Sequence, residues 1–113
     1  MLKLLGVLAA MTSITGGEAT GAAPIYLVAE PADEGVRFRV VGAPQSDLDA
    51  SFSLEVSGGG NRSVHRSSAS LRAGDTVTLS TVSLGGVRPG EWRAHLRVEP
   101  AGRAAYEQTK TSF

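Results

Sequence analysis

Apolar side chains recur at every second position along most of the chain after residue 23, which is the period of a half-buried β-strand and not of a helix. The clearest case is segment 92–99, where tryptophan, alanine, leucine and valine alternate with arginine, histidine, arginine and glutamate. Successive side chains of a strand point to opposite faces. This segment therefore predicts a strand that turns Trp92 toward a core and His95 toward solvent.

Seven such segments are predicted, separated by turns rich in glycine, proline, asparagine and aspartate. They cover residues 25–30, 36–41, 51–57, 62–70, 76–84, 92–99 and 103–112. Strands of this length with turns at such short intervals indicate an all-β fold, an immunoglobulin-like or fibronectin-III-like sandwich of about seven antiparallel strands. The predicted centre of the core consists of Trp92, Phe38, Phe52, Leu54 and Leu96.

Three segments depart from simple alternation. Gly58–Asn61 predicts a tight hairpin, because glycine and asparagine tolerate positive φ. Segment 62–70 contains almost no large apolar residue and predicts a polar edge strand or an extended loop. The apolar parity changes near Ser80 and Thr81, which predicts a bulge or a strand that changes sheets. Asp47-Leu48-Asp49 falls in a polar link and is interpreted as a solvated turn more readily than as a carboxylate pair.

The first residues have a different character. Lys3 is followed by an apolar run over 4–11 and then by small residues. A short positive region, an apolar run too short to span a bilayer and a small-residue segment are typical of a secretory signal peptide. We predict a signal peptide over 1–22, with cleavage between about Gly17 and Pro24, and a single domain over 23–113. The alternative is a buried N-terminal helix, which the glycines in this region disfavour.

Composition narrows the function. The chain has no cysteine, which excludes a disulfide, a thiol nucleophile and a lipid-modified mature N-terminus. Eleven lysines and arginines balance eleven aspartates and glutamates. Broad attraction to nucleic acid or to an anionic membrane is therefore not expected, and any electrostatic function must come from local patterning.

The residues that could support catalysis do not converge. His65 and His95 lie on polar parities of separate segments, without partners at metal-ligand spacing. No serine stands in a Gly-x-Ser-x-Gly setting, and the triple glycine at 58–60 is not followed by the residues of a phosphate loop. We predict that the protein is not an enzyme and has no catalytic residue, metal site or cofactor. Asn61-Arg62-Ser63 matches the short acceptor pattern for glycosylation.

Basic side chains form outward rows on the predicted strands. One row is Arg93, His95 and Arg97, and another is Arg37 and Arg39. Such rows keep a protein soluble and protect it from edge-to-edge aggregation. Their functional interpretation is recognition of a polar or acidic extended chain.

The succession of features resembles a known family. A signal peptide precedes a sandwich of about ninety residues with a Gly-rich hairpin, a polar serine and arginine strand, and the segments Thr78–Leu84 and Gly90–Ala94. In this order they resemble the periplasmic curli amyloid inhibitors of the CsgC/CsgH type. One branch of that family has a Cys-x-Cys pair near the third strand, where this chain has residues 45–49 without cysteine. The resemblance is therefore better to the cysteine-free CsgH branch, and no redox function carries over.

The resemblance implies a periplasmic, monomeric, chaperone-like protein that prevents premature amyloid assembly of curli-type fibre subunits, which it contacts transiently. It implies no cofactor, no nucleic acid and no membrane insertion. The candidate client-binding residues are Arg93, His95 and Arg97, with Arg62 and Arg66 as neighbours if the polar strand joins the same sheet. The alternative is a non-enzymatic structural or adhesive immunoglobulin-like module of a surface fibre or an envelope complex.

Overall fold

A computed structural model describes residues 23–88 and 90–113 of the chain. These residues form seven strands, which are β1 (Ile25–Ala32), β2 (Gly35–Gly42), β3 (Leu48–Gly58), β4 (Asn61–Leu71), β5 (Val77–Gly85), β6 (Trp92–Pro100) and β7 (Tyr106–Lys110). Within the described ranges, no helix is long and apolar enough to cross a membrane. The predicted signal peptide over 1–22 lies outside the described residues.

The strands form two antiparallel sheets that pack face to face. The three-stranded sheet has the order β1-β2-β5, and the four-stranded sheet has the order β4-β3-β6-β7. The predicted all-β, immunoglobulin-like sandwich is thereby confirmed. In constant-type immunoglobulin domains the fourth strand joins the sheet of the first two. Here Gly59 and Gly60, with φ of 59° and 83°, make a two-residue turn that keeps β4 beside β3.

The core lies between the sheets and is built from alternate positions of six strands. All five residues predicted for its centre are buried, with exposed fractions from 0% to 4%. Phe38 of the three-stranded sheet meets Trp92 of the four-stranded sheet edge to face, with ring centroids 5.1 Å apart. Such contacts between aromatic rings stabilise a core beyond the area that they bury. Trp92 therefore links the two sheets.

Two predicted boundaries are wrong for a shared reason. Leu48 and Leu71 were predicted in a link and in a turn, but they end β3 and β4 and are buried, with exposures of 6% and 5%. The two leucines pair across the far end of the hairpin and point into the core. Leu48 stands between two aspartates and Leu71 between Ser70 and Arg72, so these polar neighbours outweighed the period-two pattern that continues to Leu48. The last strand is also shorter than predicted.

The change of parity in β5 marks a bulge, as predicted. Val40 pairs with Ser80 and the next residue, Val41, pairs with Thr78, so Leu79 is the extra residue of β5. The prediction placed the irregularity at Ser80 and Thr81, one residue away. A bulge bends a strand and interrupts its ladder, so the free edge of β5 is irregular.

β4 is mostly polar on both faces, and its core side is covered only at its C-terminal end, where Leu71 is buried and Ala69 packs against the core. Its pairing with β3 puts Ser63, His65 and Ser67 on the core side of the four-stranded sheet, opposite buried residues of β3. His65 and Ser67 are nevertheless exposed. The four-stranded sheet has one strand more than its partner, so β4 overhangs the core. The prediction of a polar edge strand is confirmed.

Candidate functional site

All five predicted client-binding residues lie on one surface, the outer face of the four-stranded sheet. β3 separates the two strands that carry them, and its Ser57 pairs with Arg62 on one side and with Arg93 on the other. Four residues away, Ser53 pairs in the same manner with Arg66 and Arg97. Directly paired residues of neighbouring strands point to the same face of a sheet. The structure therefore brings together residues that lie more than thirty positions apart in the sequence.

The outward direction of the β6 residues follows from the burial of their neighbours. Ala94 and Leu96 are completely buried. Since side chains alternate between faces, burying these residues forces Arg93, His95 and Arg97 outward. Arg93 and Arg97 are exposed and His95 is half-buried.

A hydrogen-bonded network joins β6 to β7. The Arg97 guanidinium contacts Glu107 at 2.9 Å and Glu99 at 3.3 Å. Nε2 of His95 lies 2.8 Å from the second oxygen of Glu107, and its Nδ1 lies 2.9 Å from Oγ1 of Thr109. In the neutral ring, Nε2 donates to the carboxylate and Nδ1 accepts the threonine hydroxyl. His95 and Arg97 are thus held by a carboxylate and are not free cations.

A second ion pair joins β4 to β3. Arg62 donates from Nε to the carboxylate of Glu55. This hydrogen bond is the main cause that lowers the pKa of Glu55 below its usual value, and the same bond raises the pKa of Arg62. Both groups stay charged at neutral pH, and the charge of Arg62 is balanced by its neighbour.

Arg66 and Arg93 differ from the other three candidates. Among the ion pairs of residues 23–88 and 90–113, none involves either of them. Arg93 borders a shallow depression of about 250 Å³ that Glu55, Ser57 and His95 also line. The arginines of the outer face that no carboxylate of the described residues holds in an ion pair are therefore these two, one on each side of β3.

The predicted basic rows are in fact mixed in charge. Glu55 of β3 and Glu107 of β7 alternate across the face with the basic residues. The sequence placed Glu55 on a polar parity but gave no register between strands, so its contact with Arg62 could not be foreseen. Glu107 and Thr109, which hold His95, were missed because the last strand carries only a weak alternation.

Other candidate residues lie elsewhere. Arg37 and Arg39 lie on the three-stranded sheet and share one carboxylate oxygen of Glu30. Nη1 of Arg37 is 3.6 Å from this oxygen, and Nε of Arg39 is 3.2 Å from it. Asp47-Leu48-Asp49 is not a solvated turn: Leu48 is buried, and a carboxylate oxygen of Asp47 accepts the Ala73 N–H at 2.9 Å. In the described part of the chain, no three histidine, aspartate or glutamate side chains are grouped as metal ligands would be.

Comparisons with known proteins bear on the fold. The architecture is a sandwich of three and four antiparallel strands with a charged outer face on the larger sheet. A solved structure, "E. coli curli protein CsgC - SeCys", is similar to this chain with a TM-score of 0.54 and 13% sequence identity. The similarity covers 75% of this chain and 94% of that chain. No protein-family model and no curated protein matches the sequence. The chain therefore has a fold like that of curli protein CsgC.

Proposed function

We propose that this protein is a periplasmic, chaperone-like inhibitor that keeps curli-type fibre subunits from assembling into amyloid too early. The observation that carries the proposal is the CsgC-like fold, found over three quarters of a chain whose sequence features independently resemble the same family. The lack of cysteine favours the cysteine-free CsgH branch. Export through cleavage of residues 1–22 and a monomeric state belong to the proposal.

The outer face of the four-stranded sheet is the proposed client-binding surface. Amyloid grows by stacking strands of low net charge in register. A transient contact that places a guanidinium against such a strand disfavours the next addition, because a buried, unpaired charge is costly. Arginine suits this role, since its planar fork binds carboxylate or carbonyl oxygens while its stem covers apolar surface.

The ion pairs of the outer face support a ranking of the five candidate residues for this role. Arg62, His95 and Arg97 are held by Glu55 or Glu107, so a client must compete with an internal partner to reach them. Arg66 and Arg93 are outside these ion pairs, and both are exposed. We therefore assign them the main contacts with the client and the other three a supporting role.

The test is the lag before a curli-type subunit forms fibres, followed by thioflavin fluorescence with the inhibitor well below equimolar amounts. The wild-type protein is expected to lengthen the lag. The double variant Arg66→Ala with Arg93→Ala should lose most of this effect without loss of stability, since exposed charges contribute little to folding. Arg37→Ala with Arg88→Ala removes the same charge from other surfaces and serves as the matched control.

Salt gives a second measurement. Exposed charges are screened over a Debye length of about 8 Å at physiological ionic strength, so raising the salt should shorten the lag of the inhibited reaction. An unchanged lag with the wild-type protein would refute the inhibitor function. Full activity in the Arg66 and Arg93 double variant would refute only the site. Self-association of the purified protein into fibres would favour the structural module.

A further inference from the structure

We propose that the free edge of β4 is a docking strand for an extended, acidic segment of another polypeptide, which pairs with it antiparallel through backbone hydrogen bonds. The identity of this polypeptide as the fibre subunit rests on the proposed function. The docking edge itself rests on the register of the sheet, the charge of β4 and the difference between its edge and the other edges of the sandwich.

The register shows which backbone groups of β4 are free. The N–H of Ala101 donates to the carbonyl of Asp49 at 2.8 Å, which fixes the pairs that β3 exchanges with β6. In an antiparallel sheet, a residue bonds to one neighbour or the other in alternation. The odd-numbered residues of β4 therefore bond to β3, and the even-numbered ones point their N–H and carbonyl groups away from it. These residues are Arg62, Val64, Arg66, Ser68 and Ser70.

No strand within the described residues pairs with this side of β4. The strand runs through eleven residues without a register shift, whereas β5 contains the bulge at Leu79. At the start of β1, side chains of β7 occupy outward backbone groups, as Ile25 bonds to Tyr106 and the Leu27 N–H bonds to Gln108. Among the edges of the sandwich, β4 therefore offers the longest regular ladder for another strand.

The charge of β4 selects the occupant. The strand carries Arg62, Arg66 and His65 and no acidic residue. A second copy of the chain brings no opposite charge: antiparallel pairing centred on Val64 places Arg62 opposite Arg66, and pairing centred on Arg66 places two copies of this residue opposite each other. Like charges in direct cross-strand pairs are destabilising, and opposite charges are favourable. An acidic strand, unlike a second β4, places opposite charges across from Arg62 and Arg66.

The position of β4 beyond the core determines the polarity of the segment that can dock there and the strength of its binding. His65 and Ser67 are exposed even on the core side. A strand added to β4 lies one step farther from the core, so burial of apolar surface contributes little to its binding. The expected segment is polar on both faces, with acidic residues at positions opposite Arg62 and Arg66, and its binding is weak and reversible.

The test uses the protein purified from expressing cells with its natural N-terminus and an acetylated, amidated seven-residue peptide. The peptide has the order threonine, aspartate, threonine, valine, threonine, aspartate, threonine, which places both aspartates on one parity. At a peptide concentration of ten times its Kd, hydrogen exchange at the amides of Val64, Arg66 and Ser68 should slow by about tenfold, because only free protein exchanges. The amides of Thr81 and Ser83 on β5 should not change.

Two matched controls separate backbone pairing from charge. A methyl group on the valine nitrogen, which faces β4 in the antiparallel pair, should abolish protection, while one on a neighbouring threonine nitrogen should not. Replacing both aspartates by lysines should also abolish it. In the protein, Ser68→Pro removes an N–H that points away from β3 and should weaken binding at least tenfold, whereas Ser68→Ala keeps that N–H and should bind normally.

The proposal is overturned if the peptide protects β5 or shifts only the signals of β6. It is also overturned if the β4 amides exchange slowly without peptide, since the edge would then be occupied by this chain or, when protection rises with protein concentration, by a second copy. In the fibre assay, loss of inhibition by Ser68→Pro but not by Ser68→Ala or Thr81→Pro supports β4. Equal inhibition by all three refutes β4 while leaving the proposed function intact.

Discussion

The two lateral sides of the sandwich, where the outer strands of the two sheets lie, differ in their hydrogen bonds. At one side, β7 lies next to β1, and Tyr106 bonds to both backbone groups of Ile25, accepting its N–H at 3.0 Å and donating to its carbonyl at 2.6 Å. Gln108 accepts the N–H of Leu27 at 2.9 Å. At the other side, β4 and β5 are the outer strands of the two sheets, and no hydrogen bond among the described residues joins them.

The difference shows two ways to manage an exposed strand edge. The β1 edge is closed at Ile25 and Leu27 by side chains that take the place of a neighbouring strand, and this ties the two sheets together. The β4 edge is left open and is made polar and basic, which disfavours pairing with a second copy. One side of the molecule is therefore built for stability, and the other keeps a backbone ladder available for a partner.

The largest loss of stability is expected from a substitution in the core, which lies between the two sides. Trp92→Ala should destabilise the protein by about 3–5 kcal/mol, because it removes a buried indole that packs on Phe38. His95→Ala lies on the opposite face of the same strand and should cost much less. Denaturant unfolding of both variants measures the two values. Equal loss of stability in the two variants would contradict the assignment of inner and outer faces.

The contribution of the hydrogen bonds between β7 and the β1 edge is tested by Tyr106→Phe. The variant loses both hydrogen bonds to Ile25 and leaves its N–H and carbonyl without their partner, so a loss of about 1–3 kcal/mol is expected. Tyr26→Phe removes the same hydroxyl from a half-buried position on β1 for which the described residues supply no hydrogen bond, and it should be nearly neutral. If Tyr26→Phe costs as much as Tyr106→Phe, the bridge is not what closes this side.

The dependence of stability on alkaline pH gives a second test of the role of Tyr106. Burial raises the pKa of Tyr106 above its ordinary value, and this outweighs the opposing effect of the hydrogen bond to Ile25. The folded state therefore holds the phenolic proton more tightly than the unfolded chain does. This contribution to stability is complete below the unfolded pKa of about 10 and is lost as the pH rises through the folded pKa. Melting curves of Tyr106→Phe should lack this part of the alkaline decline.

The smallest effect is expected on the open side. Arg66→Ala and His65→Ala should each change the free energy of unfolding by less than about 0.5 kcal/mol, since both side chains are exposed and neither is in an ion pair of the described residues. Thermal melts can resolve the difference from Tyr106→Phe. A loss as large as that of Tyr106→Phe would mean that the β4 side supports the fold and is not a free edge.

The strand pattern was largely readable from the sequence because period-two alternation reports burial directly. It located the strands, the hairpin at Gly59 and Gly60, the bulge in β5 and the inner face of β6. It failed for Leu48 and Leu71, which are single apolar residues whose burial depends on a partner across the hairpin. It also placed Arg93, His95 and Arg97 on an outward parity, but it could not show that Arg62 and Arg66 share their face or that Glu55 and Glu107 hold three of the five.

What the sequence determined by itself is local: which residues turn toward a core, where glycine allows a reversal, and that the polar segment 62–70 cannot form part of a core. These properties depend on neighbours within a few positions, so the local sequence is enough to predict them. The tertiary structure decided which strands lie side by side, and with that which charges pair, that Tyr106 reaches Ile25 across 81 positions, and that β4 overhangs the core. Those contacts join residues distant in the chain, and only the packing of the two sheets selects them.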